Sequence, residues 1–188
     1  PMSTHRKTIK HYNIPGHAHY LTFSTYRRIP LLNKDRTRLW LIESIERARK
    51  LHDFDLWGWV IMPDHAHLLI CPRHPVYRMD DILQSIKQPV SKKAIRYLSI
   101  HAPVFLKKLT VVNARRTYRH FWQVGPGYDA NQIEPAATHQ TVDYMHLNPV
   151  RANLVALATD WKWSSARDWA GLDDIIMRVD RNLPSWLP

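Results

Sequence analysis

Two apolar runs that meet at Pro63-Asp64, from Trp57 to Cys71, constrain this chain more than any other stretch. Proline presets φ and aspartate can bond its neighbouring backbone, so the dipeptide is suited to reversing the chain. The flanking runs, Phe54 to Met62 and His65 to Cys71, predict the two strands of a β-hairpin. Side chains on a strand alternate faces. His65, His67, Leu69 and Cys71 therefore share one side, and Ala66, Leu68 and Ile70 the other. A strand apolar on both sides is expected to be central and covered on both. Two imidazoles on one face, separated by one residue, can meet a single metal ion. The same pattern arises by chance at solvated strand ends. The second such pair, His17-Ala18-His19, follows the turn-like Ile14-Pro15-Gly16 and is read in that ordinary way.

The 188-residue chain is long enough for one domain with a sizeable core. Lys and Arg total 27 against 16 Asp and Glu, a net charge of +11, which points to a polyanionic partner. Nucleic acid is preferred over a membrane surface, because no amphipathic basic helix stands out as an anchor. Cys71 is the only cysteine, so no intrachain disulfide forms and a reducing compartment is expected. No apolar run is long enough to span a bilayer, and no signal-peptide-like segment opens the chain. Cytoplasm is the expected location.

Taken in order, residues 1–16 are polar and basic and read as a flexible arm, followed by a domain over 17–150 and a tail over 151–188. His19 to Tyr26 alternates as a first strand and ends at Arg27-Arg28. A helix is expected from an Asn33 cap to Leu51, with Leu39, Ile42 and Ile45 inward. A second begins at Asp80 or Asp81 with the stripe Ile82, Leu83, Ile86, Ile95 and Leu98, and Pro89 should kink or divide it. Its other face carries Lys87, Lys92, Lys93 and Arg96, candidate contacts to phosphates. Thr110-Val111-Val112 and Phe121-Trp122-Gln123 predict two short strands around a basic turn holding Arg115 and Arg116. These two arginines and Arg27 join the candidate DNA-binding set. Glu134-Pro135 opens a last helix that Pro149 stops. The order β-α-β-β-α-β-α predicts an α+β fold: a ferredoxin/RRM-like antiparallel sheet with helices on one face and a site on the other.

On the last helix Tyr144 and Asn148 lie one turn apart and share a face. Taken singly, Tyr144 is an ordinary packed helix tyrosine and Asn148 a cap before Pro149. Their combination with the hairpin histidines is what points to chemistry.

Met62-Pro63-Asp64-His65-Ala66-His67-Leu68-Leu69 resembles the His-hydrophobic-His motif of the HUH single-strand nucleases. Tyr144-Met145-His146-Leu147-Asn148-Pro149-Val150-Arg151-Ala152-Asn153 resembles the tyrosine segment of the REP-associated tyrosine transposases, within the single-tyrosine transposase superfamily. Trp161-Lys162-Trp163-Ser164-Ser165 resembles that family's Trp-Ser-Ser tail. The resemblance implies an HUH architecture in which His65, His67 and Asn148 hold a divalent metal, Mg²⁺ or Mn²⁺, and Tyr144 is the nucleophile. It implies a transposase that cleaves and rejoins single-stranded or hairpin DNA through a 5′-phosphotyrosine. In insertion-sequence relatives the tyrosine helix crosses to a partner subunit. Here the apolar tail, with Leu154, Val155, Leu157, Trp161 and Trp163, is expected to keep it at home in a monomer. Two other classes remain: an idle hairpin-DNA-binding protein, and a phosphoesterase that activates water.

Overall fold

The computed structural model describes residues 12–125 and 127–183. Most of the expected 1–16 arm lies outside them. Strand β1 (Ala18–Ser24) is followed by helix α1 (Asp35–His52), then by the hairpin β2 (Phe54–Ile61) and β3 (His65–Pro72). Helix α2 (Met79–His101) and short α3 (Pro103–Lys107) lead to a ribbon, β4 (Thr110–Val112) and β5 (Thr117–Arg119). Strand β6 (Tyr128–Gln132) and helices α4 (Pro135–His146), α5 (Asn148–Arg151) and α6 (Ala166–Trp169) complete the order. The main sheet has four strands in the order β2-β3-β1-β6, all neighbours antiparallel. This is the α+β, ferredoxin-like arrangement expected from the sequence.

The hairpin turns where expected. Met62 N–H donates to the His65 carbonyl at 2.8 Å, leaving Pro63-Asp64 as the two-residue loop. β3 is the central strand its two apolar faces demand, between β2 and β1. On one face Leu21, Phe23, Trp59, Ile61, Leu68 and Ile70 pack against Leu41, Ile45, Ile82 and Ile86 of α1 and α2. On the other, Ala18, Trp57, Val60, Met62 and Leu69 meet Val142 and Met145 of α4. The histidine-bearing face is thus not bare of helices, and α4 covers its middle. A register shift between Leu56 and Gly58 turns Gly58 to the α4 side. A Cβ there would stand 3.4 Å from the Met145 terminal methyl, so glycine suits the close approach of α4.

Other elements depart from expectation for local reasons. α1 begins after Lys34, one residue beyond Asn33, and Leu39 is 46% exposed because Leu41, Ile45 and Ala48 form the inward stripe. α2 runs unbroken through Pro89. Proline has no N–H to give the carbonyl four residues back, that of Ser85. The buried Ser44 hydroxyl of α1 lies 3.2 Å from the Ser85 carbonyl and 2.7 Å from that of Ile86, and so supplies the missing donor. The ribbon's second strand is Thr117–Arg119, not Phe121–Gln123. Phe121 and Trp122 are drawn into the main core instead, and Trp122 Nε1 donates to the Lys87 carbonyl at 2.8 Å. β6 was not anticipated at all.

The segment after α5 returns to β2. Ile61 N–H donates to the Trp163 carbonyl at 2.8 Å and Ser165 N–H to that of Trp59 at 2.9 Å. Further along, Leu56 N–H donates to Asp180 Oδ2, and Asp180 N–H to the Leu56 carbonyl, each at 2.8 Å. The indole N–H groups of Trp161 and Trp169 donate to the Ile61 and Trp57 carbonyls at 3.1 and 2.9 Å. Among the described residues no helix is long and apolar enough to cross a membrane.

Candidate active site

The site is built on β3 and its neighbour β1. Antiparallel pairing sets Thr22 opposite His67 and Ser24 opposite His65. Tyr20 and Thr22, two residues apart on β1, therefore point to the same face as His67. The Tyr20 hydroxyl lies 2.8 Å and Thr22 Oγ1 2.9 Å from His67 Nδ1. The Tyr20 ring also stacks on the imidazole at 5.7 Å and 10°. Burial, reinforced by His65 and Arg28, pushes the His67 pKa down to about 3, so the ring is neutral at pH 7. An Nδ1–H donated to these oxygens leaves the lone pair on Nε2, and that atom is buried without a hydrogen-bond partner. A buried acceptor with nothing to accept from is costly unless a ligand completes it.

His65 is held differently. Its Nδ1–H donates to Asp64 Oδ1 at 2.7 Å, and Arg28 Nε pairs with the other carboxylate oxygen at 2.9 Å. A carboxylate on one nitrogen fixes the ring and the tautomer, leaving Nε2 for a ligand. Burial lowers the His65 pKa although Asp64 opposes it. The two imidazoles stand 4.8 Å apart, centroid to centroid, at 85°. Two neutral, partly buried imidazoles, one with an orphaned nitrogen, fit a divalent ion. Among the described residues no three His, Cys, Asp or Glu side chains are grouped to hold a metal. A third protein ligand would be of another kind.

α4 carries Tyr144 to the Tyr20 side of the sheet, and Asn148 is the first residue of α5. Met145, buried against Gly58 and Leu69, anchors that turn and leaves Tyr144 49% exposed. Burial raises the Tyr20 pKa, and the nearby Tyr144 phenol adds to that rise. The Arg151 guanidinium lies 4.6 Å from the Tyr144 ring centroid, with Nη1 3.4 Å from the Tyr144 carbonyl. Asn148 Nδ2 donates to the carbonyls of Tyr144 and Met145 at 2.9 and 3.2 Å. The amide nitrogen caps α4, and the amide oxygen is the end left over for another contact.

His146 is buried, and its Nε2 lies 2.8 Å from Ser165 Oγ. That hydroxyl also lies 3.2 Å from the Trp59 carbonyl and accepts from Trp59 N–H at 3.0 Å. The second serine of the Trp-Ser-Ser tail thus ties the tyrosine helix to β2. Burial drops the His146 pKa to about 4.

The basic residues divide. α2 packs on the face opposite His67, so Lys87, Lys92, Lys93 and Arg96 belong to the layer behind the site. Lys87 is turned inward, 5.8 Å from the Phe23 ring, and burial lowers its pKa. Lys93 pairs with Glu43 at 2.5 Å, while Lys92 and Arg96 are exposed. Arg27, which follows β1, and Arg115 and Arg116, in the turn between β4 and β5, are exposed. His19, of the pair read as ordinary, is fully buried between Asp129 and Tyr77, at 2.8 and 2.7 Å. Tyr20, Thr22, Asp64, Arg28 and Arg151 were missed as site residues. Alternation on β1 marked the first two as sharing a face, but not which strand that face would meet.

A ferredoxin-like antiparallel sheet carries the paired histidines beside the helix that bears Tyr144. Residues 14–148 match the family described as Transposase IS200 like, and the chain belongs to that family. No curated protein matches the sequence. A solved structure of a REP-associated tyrosine transposase bound to a REP hairpin is similar over 96% of this chain and 95% of that one. It has a TM-score of 0.66 at 21% identity, so the expected fold is shared. A putative transposase from Deinococcus radiodurans aligns over 76% of this chain and 95% of its own, with a TM-score of 0.45 at 15% identity.

Proposed function

We propose that this transposase cleaves and rejoins single-stranded or hairpin DNA, with Tyr144 as nucleophile and a divalent metal at His65 and His67. The observation that carries the reading is the buried, unpartnered His67 Nε2 beside His65, on the sheet face that α4 covers. Binding of the solved relative to a REP hairpin supports hairpin DNA as the partner.

Tyr144 Oη attacks phosphorus, forming an O–P bond as the P–O3′ bond breaks. The departing oxygen takes a proton and leaves as a 3′-OH. One phosphodiester replaces another, so rejoining by the reverse attack needs no nucleotide cofactor. A free phenol, pKa about 10, is a poor nucleophile at neutral pH. The Arg151 guanidinium against the Tyr144 ring places a cation where phenolate charge develops. Tyr20 and Thr22 hold the His67 ring, and Asp64 holds that of His65, so both Nε2 atoms are preset. Bound there by His65, His67 and the Asn148 amide oxygen, Mg²⁺ or Mn²⁺ would neutralise charge on the phosphate oxygens.

The test is incubation with hairpin-bearing single-stranded DNA and Mn²⁺, resolved on a denaturing gel. A covalent protein–DNA band is expected from the native protein and none from Tyr144→Phe, which should still bind the hairpin. An adduct that survives in Tyr144→Phe would remove Tyr144 from the role, and Tyr128, edge-on to Tyr20 at 5.9 Å, would be examined next. Cleavage with no adduct from the native protein would favour activated water.

A further inference from the structure

A second surface adjoins the histidines through the backbone after β1. Arg27 and Arg28 both adopt left-handed φ, 53° and 57°. Non-glycine residues rarely do so, and such strain persists where the surroundings enforce it, often at functional sites. Here Thr25 enforces it: its hydroxyl bonds the Ile29 carbonyl at 2.6 Å and that of Asp64 at 2.9 Å, and its own carbonyl accepts from Arg28 N–H at 3.1 Å. The turn aims Arg28 at Asp64, and so at His65, while Arg27 lies 5.1 Å from the Tyr26 ring centroid.

Tyr26 begins a ladder of rings. His120 stacks on it at 5.1 Å and 26°, and Tyr118 lies beyond His120 at 6.2 Å and 13°. Exposure rises along the ladder, from 8% at Tyr26 through a half-buried His120 to 41% at Tyr118. The base is fixed by main chain: Tyr26 N–H donates to the Phe121 carbonyl and His120 N–H to that of Leu109, at 2.9 and 2.8 Å. In the turn of the same ribbon Arg115 and Arg116 are exposed, as is Arg119 on the other face of β5, and none makes an ion pair among the described residues. A core domain gains little from ending a ring stack in solvent on a ribbon that carries unpaired cations. A nucleobase on the last ring, with its phosphates on the arginines, uses both features.

We propose that Tyr118, backed by His120 and Tyr26 and preceded in the ribbon's turn by Arg115 and Arg116, is a stacking subsite for an unpaired nucleotide of single-stranded DNA flanking the hairpin. Arg27 and Arg28 carry the strand's path from this ladder to the histidine pair. The inference rests on the proposed reading of the chain as a single-strand DNA transferase, and gives that reading a second contact point.

The test compares a hairpin with single-stranded flanks, carrying 2-aminopurine along the flank, with the same hairpin trimmed to its stem and loop. Tyr118→Ala should weaken binding of the flanked oligonucleotide about tenfold and reduce fluorescence quenching, from the usual worth of one base stacked on an aromatic ring. Stem-and-loop binding and thermal midpoint should not change, because Tyr118 lies on an exposed ribbon. Tyr118→Phe should behave as the native protein, whereas replacing Arg115 and Arg116 by Gln should flatten the salt dependence. Equal binding of the flanked DNA by Tyr118→Ala and native protein overturns the subsite while leaving the transposase reading intact. A native protein that binds neither oligonucleotide and forms no adduct overturns both.

Discussion

His67 carries the site because its ring is gripped from one side only. Tyr20 and Thr22 take Nδ1, and the far nitrogen is buried with no protein partner. Removing the ring should therefore remove metal binding: His65→Ala with His67→Ala should abolish the heat of Mn²⁺ binding by calorimetry. A heat unchanged in that double variant would place the ion elsewhere. His146 makes a separate forecast. Its pKa is lowered from 6.5 to about 4 by burial, so protonation favours the unfolded chain. Its contribution to stability is fully present above pH 6.5 and declines as pH falls toward about 4. The loss is at most about 3 kcal/mol, taking 1.36 kcal/mol per pKa unit. His146→Gln, which can still meet Ser165, should flatten the dependence of unfolding free energy on pH across that window.

At the scale of elements, what was legible is what local pattern decides. The β2–β3 hairpin follows from two apolar runs and a turn dipeptide, and the start of α4 from Pro135. α4 ends at His146, whereas Pro149, expected to stop it, sits in the first turn of α5. β6 was not legible because Tyr-Asp-Ala-Asn-Gln has no apolar alternation. It is a strand because β1, more than a hundred residues earlier, offers it a free ladder, with Leu21 opposite Asp129. Gly127 admits that pairing: any Cβ there would fall 2.3 Å from the Thr22 carbonyl, nearer than any contact allows. Asn148 was legible twice over, as cap and as ligand, and the structure displays the cap. Pro89 was expected to kink or divide α2, and α2 instead runs unbroken because the remedy, Ser44, sits on another helix. Ser44→Ala should leave the Ser85 carbonyl, whose helical donor Pro89 lacks, without a donor and cost roughly 1–3 kcal/mol in chemical denaturation. A smaller loss would mean that α2 tolerates Pro89 unaided.

For the whole molecule the tie between Ser165, His146 and β2 bears on who supplies the tyrosine. A helix bonded to its own sheet is poorly placed to visit a partner, and we propose a monomeric active site. Mixing Tyr144→Phe with His65→Ala protein should then yield no cleavage, whereas recovered activity would show a site shared between chains. The same return of the tail has a consequence for solubility. β2 ends the order β2-β3-β1-β6, so its outer rim of amide groups faces no other strand. All eight of its residues are buried, and the chain that covers the rim is the tail, through Trp163, Ser165 and Asp180. A protein stopped at residue 157 would bare a long apolar edge strand, a template for pairing with its own copies. Such a truncated chain should form β-rich aggregates that bind thioflavin T, so the tail acts as the fold's own protection against assembling into fibres.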